Sequence, residues 1–308
     1  MHSTHRKAVV SAAALIMIGA LAGCAGGASG SAGAPADSTP TAAVDTAAAA
    51  ALPAQYKENG IKFASDIANP PMEFYNDDQE IQGFDFDLMN ELGARLGTEV
   101  SMNQQAWDTI IPSLQSNKWD AIIAGMNDTE EREAVLDFVD YFYGGFGILV
   151  QKGNPDGIKA AADLCGKKVA VQKATVQGEV LTERAKDCPA GTTITLVELP
   201  SELDSQTALR AGQASAEVVD AYVAAYAAQT AGDGQFFELI SDPESPAGLN
   251  PVYTGIGVLK KSDGLAAALQ LALQSVIDDG TYEKLLSKWN LADFAIDKAG
   301  LNLATTGD

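Results

Sequence analysis

Short apolar runs and helix-period segments alternate along most of this chain, and that alternation restricts the fold more than any other feature. Residues 61–65 alternate like a strand, and residues 83–97 then repeat Leu88, Leu92 and Leu96 at i, i+4 and i+8 before Gly97 stops the helix. Asp85 stands where an N-cap is expected. A strand over 99–103, a helix over 109–116 and a buried strand over 121–124 follow. Pro112 is compatible with its helix because it falls in the first turn, where N–H groups lack intrahelical partners. A second series starts at 148–151. It predicts strands at 168–172, 194–199 and 216–219 and helices at 176–186, 203–211 and 221–228, and after residues 253–258 two closing helices at 264–278 and 281–289. This order specifies an α/β architecture, and a cleft between two such units is the expected ligand site.

The run from Gly125 to Arg132 is the clearest candidate site. Thr129 or Asp128 reads as an N-cap, and Arg132 joins Glu130 and Glu131 in the first helical turn. A helix start offers free N–H groups and a positive dipole end, and a guanidinium there suits one planar anion. The same residues also fit an ordinary capped helix with an arginine on its solvent face.

Composition removes several chemistries. A net charge of −21 argues against nucleic acid or an anionic membrane surface as the main partner. The only histidines are His2 and His5, so beyond the first residues no His-dependent triad is possible, and no metal site or cofactor is expected. Residues 1–23 combine a basic start (Arg6, Lys7) with an apolar stretch from Ala8 to Ala20 too short for a comfortable membrane span. Leu21-Ala22-Gly23-Cys24 closes that stretch and resembles the lipobox of bacterial lipoproteins, which implies export and a lipid anchor on Cys24 at the outer face of the cell membrane. Cys165 and Cys188 remain, and an exported chain most simply pairs them. The loop of about 22 residues would stabilise by about 3 kcal/mol in the chain-entropy model. Residues 24–55, rich in Ala, Gly, Ser, Pro and Thr, read as a flexible tether, and 297–308 as a C-terminal tail.

Six motifs then fall in one order: Gly83-Phe84-Asp85-Phe86-Asp87-Leu88; Trp107 to Leu114; Trp119 to Gly125; Arg132 with Asp137-Phe138; Val169-Ala170-Val171; and Asp279 to Lys284. Together they resemble the family 3 solute-binding proteins, the amino-acid receptors of ABC importers. The resemblance implies a two-lobed, type II periplasmic-binding-protein-like fold. Lobe 1 would hold 56–141 and 258–296, lobe 2 would hold 147–252, and a two-strand hinge would cross at 142–146 and 253–257. It implies that Arg132 grips the ligand's α-carboxylate, with Asn127, Gly125 and Met126 beside it. Thr175, Val176 and Gln177 would supply further N–H groups from the second lobe. Asp220 would accept the α-ammonium, although it also stands where a cap for the following helix belongs. Trp107 would cover the ligand side chain, and Asp66 and Asn69 would complete the pocket. Asn69 and Met72 replace the family's usual aromatics, Asn127 replaces a Ser or Thr, and Lys173-Ala174-Thr175-Val176 replaces a Gly-Thr-Thr pattern. These departures predict a polar pocket for a polar or charged side chain.

The implied partners are an amino acid and the permease and ATPase subunits of an importer, with the chain itself a monomer. An exported enzyme of the same fold, of the cyclohexadienyl or arogenate dehydratase kind, and a ligand sensor without transport are the alternatives. The sequence offers carboxylates but no assignable acid or base for catalysis.

Overall fold

The computed structural model of the chain describes residues 43–242, 248–262 and 264–306. The signal segment, Cys24 and most of the expected tether lie outside the described residues. The strands are β1 (Ile61–Ser65), β2 (Phe74–Tyr75), β3 (Ile81–Gln82), β4 (Val100–Gln104), β5 (Ala121–Ile122), β6 (Leu136–Gln151), β7 (Lys168–Gln172), β8 (Thr195–Leu199), β9 (Ala216–Asp220), β10 (Phe237–Ile240) and β11 (Leu249–Leu259). The α-helices are α1 (Thr46–Ala51), α2 (Ala54–Asn59), α3 (Phe84–Leu96), α4 (Ile110–Gln115), α5 (Glu130–Glu133), α6 (Val176–Arg184), α7 (Glu202–Arg210), α8 (Ala221–Thr230), α9 (Leu265–Asp278), α10 (Thr281–Trp289) and α11 (Leu303–Thr306).

Two lobes share two long strands. In the first, the order β4-β1-β5-β11-β6 puts parallel strands beside β11, which returns antiparallel from much later in the chain. The first half of β6 pairs with β11, from Leu136 against Leu259 to Phe142 against Thr254. Its second half joins the other lobe, where Phe146–Leu149 pairs with β9 and 148–151 with β10, followed by β7 and β8. Strands such as β1 and β9, with neighbours on both edges and helices on both faces, read as nearly unbroken buried runs.

The helical periods become packing. Leu88, Leu92 and Leu96 of α3 meet Leu265, Leu269, Leu273 and Val276 of α9 in one fully buried cluster. Each such side chain contributes about 1.5–3 kcal/mol by leaving water. The second lobe has its own cluster around Ile148, Val150, Leu164, Val169, Leu181 and Val218. A disulfide joins Cys165 to Cys188, with Cα atoms 5.6 Å apart.

Several expectations change. The last part of the expected tether is folded: Asp45 caps α1 by accepting from the Ala47 and Ala48 N–H groups, and Ala48 and Leu52 are buried. Alanine is the best helix former, so a composition read as flexible became a helix once a buried face was available. The tail is docked too, because Gly300 exchanges backbone hydrogen bonds with Asp140, and Asn302 donates to the Phe138 carbonyl. Asp85 does not cap α3, whose N-cap position is Gly83. It is fully buried in the helix's first turn, and its Oδ2 accepts from Gly125 N at 2.8 Å and from the Tyr141 hydroxyl at 3.0 Å. The helix opened by Thr129 lasts one turn, with the Thr129 hydroxyl accepting from Arg132 N.

Candidate ligand site

A small cavity lies where the strand ends of the two lobes meet. Asp66, Asn69, Glu73, Trp107, Gly125 and Asn127 line it from the first lobe, and Gln172, Thr175, Gln177, Glu202 and Asp220 from the second. Its volume is about 20 Å³, room for about one water.

Asp220 is its most elaborately held member. It ends β9 and occupies the N-cap position of α8, yet its side chain makes no cap hydrogen bond. Instead Oδ1 accepts from Asn127 Nδ2 at 3.0 Å, joining the lobes, and Oδ2 accepts from Gln177 Nε2 of its own lobe at 2.9 Å. Burial pushes its pKa up to about 7 against those two donors, and the charge of Glu202 adds to the rise. Asp66 follows β1 and accepts from Gln172 Nε2 at 2.7 Å across the cleft and from Gln104 Nε2 at 3.3 Å, while burial raises its pKa.

Glu73 is fully buried, and no donor in hydrogen-bonding geometry reaches its carboxyl oxygens, although the Asn69 side chain is near enough to favour the charged form. Burial first, and then the Asp85 charge, hold it well above the usual carboxylate range. Asp85 itself is raised to about 6 by burial. Gly125 adopts φ +57°, and a Cβ there would meet Asn69 Nδ2 at 2.9 Å, so glycine is required where the chain passes Asn69.

Trp107 is half-buried and donates from Nε1 to the Ala174 carbonyl at 2.9 Å, a further bond between the lobes. Thr175, the N-cap residue of α6, turns its hydroxyl to donate to the Gln172 carbonyl at 2.7 Å.

Three sequence-derived candidates stand elsewhere. Arg132, Met126 and Val176 do not line the cavity but an adjacent pocket, which shares Trp107 with it and also includes Thr129, Ala174 and Glu179. Met126 is fully buried in the apolar core of the first lobe. Arg132 donates from Nη1 to the Asn127 carbonyl at 2.8 Å, and its guanidinium lies 5.4 Å from the Trp107 ring centroid. It remains close enough to Asp220 for their charges to interact.

Sequence reasoning missed Gln172, Glu73 and Glu202. Gln172 carried a signal, since it ends a parallel strand facing the cleft. Glu202 sits in the first turn of α7, where an acidic residue reads as helix-dipole compensation. Glu73 lies in an aperiodic loop and carried none.

The profile described as "Bacterial extracellular solute-binding proteins, family 3" matches residues 61–292. The chain belongs to this family. Among family members, it is 32% identical over 244 residues to the histidine-binding periplasmic protein of Salmonella typhimurium, covering 79% of this chain and 90% of that one. It is 30% identical over 238 residues to the arginine-binding protein ArgT of Corynebacterium glutamicum, covering 76% and 75%. Among solved structures, an ancestral arginine-binding protein bound to arginine is 34% identical with a TM-score of 0.66, covering 74% of this chain and 97% of that one.

Proposed function

We propose that this chain captures an α-amino acid with a cationic side chain outside the cell membrane and delivers it to the permease and ATPase of an ABC importer. The ligand class rests on the cavity wall, which holds Asp66, Glu73, Glu202 and Asp220 and no lysine or arginine. Two of its buried polar groups lack hydrogen-bond partners, the Glu73 carboxyl and Gln177 Oε1, and both can accept from a ligand once a cation draws the proton from Glu73. A wall of acceptors calls for a ligand rich in N–H donors and positive charge.

The neighbouring opposite charges of Asp220 and Arg132 suit the two ends of an amino-acid zwitterion. The ammonium would sit on Asp220. The carboxylate would face Arg132 and the start of α6. Relatives named for histidine, arginine and cystine binding support the amino-acid reading. A cavity of this size admits no amino acid until the lobes part, and the crossings of β6 and β11 near 142–146 and 253–257 are where we place the hinge. Contacts from both lobes would then favour the closed form, which is what docks on the permease. We read the protein as a binder and not a dehydratase-like enzyme, in line with the binding-protein names of its relatives.

A thermal-shift screen of the full chain against the amino acids tests this. At 100 times the dissociation constant a ligand stabilises by about 2.7 kcal/mol, and arginine, lysine, ornithine or histidine should give the largest response. A response confined to acidic or apolar amino acids overturns the reading. Arg132→Ala should abolish the shift, and Arg132→Lys should restore little of it because a point charge lacks the planar fork. The lipid anchor has its own test: Cys24→Ser should move the protein from the membrane fraction to the soluble exported fraction.

A further inference from the structure

A second pair of carboxyl groups belongs to the second lobe, and one of them lines the cavity. Glu202, the first residue of α7, is 4% exposed and lines the cavity. Glu217, inside β9, is 0% exposed. The two carboxyls are close enough for their charges to interact, and no hydrogen-bond donor reaches either oxygen of Glu217. Gln206 Nε2 approaches Glu202 at only 3.5 Å.

Nothing in the packing of the second lobe calls for this arrangement. Glu217 stands between Ala216 and Val218, both buried in the apolar core of that lobe. Two adjacent buried carboxyls can be satisfied without an outside partner only by sharing a proton. Burial raises both, and for Glu217 the Glu202 charge raises it further. The other titratable groups facing Glu202 are Asp66 from the end of β1 and Asp220 from the end of β9, all of the same sign. Asp220 feels the charges of both Glu202 and Arg132, and Glu202 feels that of Asp66. Asp220 is thus the cavity carboxyl with a cation beside it, which orients a bound amino acid with its zwitterionic end at Asp220 and its side chain toward Asp66 and Glu202. Glu73, on the first-lobe side of the cavity, is a further buried carboxyl whose oxygens lack a donor in hydrogen-bonding geometry.

We propose that Glu202, backed by Glu217, forms a subsite on the second lobe that takes the ligand's distal cationic group, a guanidinium or ammonium. The inference rests on the cationic-ligand reading above. Glu202 touches the ligand. Glu217 is a positioning residue that holds the shared proton and releases it when the cation arrives, so binding is linked to proton release.

Calorimetric titration of the full chain with arginine and with citrulline, its uncharged isostere, tests the subsite. Glu202→Gln should weaken arginine at least tenfold and change citrulline less than twofold, so the preference for arginine collapses. Glu217→Gln should lower the number of protons released on arginine binding near pH 7, read from titrations in two buffers of different ionisation enthalpy. Asp66, Glu73 and Asp220 are common to both proteins, so the difference isolates the pair. It also keeps the proposal testable should Glu202→Gln fail to fold. If Glu202→Gln keeps the arginine preference within twofold, or Glu217→Gln releases as many protons as the unmodified chain, the subsite is overturned while the cationic-ligand reading stands. If the unmodified chain binds neither arginine, lysine nor ornithine, the cationic-ligand reading itself fails.

Discussion

Two groups of buried carboxyls in this molecule have similar electrostatics and different fates. Asp128 and Asp140 are fully buried beside Glu133 near the crossing strands, and burial pushes them up to about 8 and about 7. Asp220 in the cavity is raised to about 7 by the same cause. The first group is sealed under the C-terminal segment: Ala304 N donates to Asp128 Oδ2 and Leu303 N to Asp140 Oδ2, Gly300 pairs with the Asp140 backbone, and the other oxygen of each carboxyl has no N–H donor. The cavity group has side-chain amides on Asp220 and Asp66, and beside Glu73 only Asn69, outside hydrogen-bonding geometry. A raised carboxyl pKa therefore does not mark a ligand site by itself. What separates the two groups is that one lines a cavity between the lobes and the other is covered by the C-terminal segment.

The largest expected effect separates the two groups directly. Asp220→Asn should weaken the amino-acid ligand more than about 100-fold, in line with about 3 kcal/mol for losing one partner of a buried charge pair. Asp140→Asn should leave affinity within about threefold. Titration calorimetry on both variants decides, and equal losses would erase the distinction.

Removing residues 299–308 should act on the sealed group and its surroundings but not on the cavity. The truncation takes away the N–H donors to Asp128 and Asp140 and the buried Ala299. Leaving buried polar groups without partners costs about 1–3 kcal/mol each, so Tm should fall by about 5 °C or more. Ligand affinity should hold within about threefold. A truncated chain that melts normally and binds poorly would assign the tail to the ligand site instead.

How legible this contrast was in the sequence depends on what each part is made of. The α/β order was legible because Leu88, Leu92 and Leu96, or the run Val169-Ala170-Val171, carry periods set by burial. Asp220, Asn127 and Gly125 were legible because they stand at strand ends beside motifs. Glu73, Glu202 and Glu217 were not, because a carboxyl's meaning depends on partners distant in the chain. The docked α1 and tail were hidden in the same way, since alanine-rich and aperiodic segments fold here only against surfaces that α3, α9 and β6 provide. Arg132 is the opposite case. Its motif was plain, but the Asn127 carbonyl that now accepts from it has no sequence signature.

The smallest effect should be the dependence of affinity on pH, and its sign follows from which state binds more protons. Asp220 is raised to about 7 in the unliganded protein, above the 3.8 of a free aspartic acid. Folding therefore takes up a proton between these values, and the stability this group contributes is lost as pH rises toward 7. A bound ammonium favours the ionised carboxylate, so binding releases that proton and affinity rises with pH until about 7 and then levels. Binding should be about tenfold weaker at pH 6 than at pH 8, because one pKa unit corresponds to about 1.4 kcal/mol. Asp128 and Asp140 titrate in the same range but face backbone donors, so Asp140→Asn should leave this profile in place while Asp220→Asn flattens it. Calorimetry from pH 5.5 to pH 8.5 on the three proteins measures it. A profile that survives Asp220→Asn and disappears in Asp140→Asn would mean that the sealed cluster, and not the open one, senses the ligand.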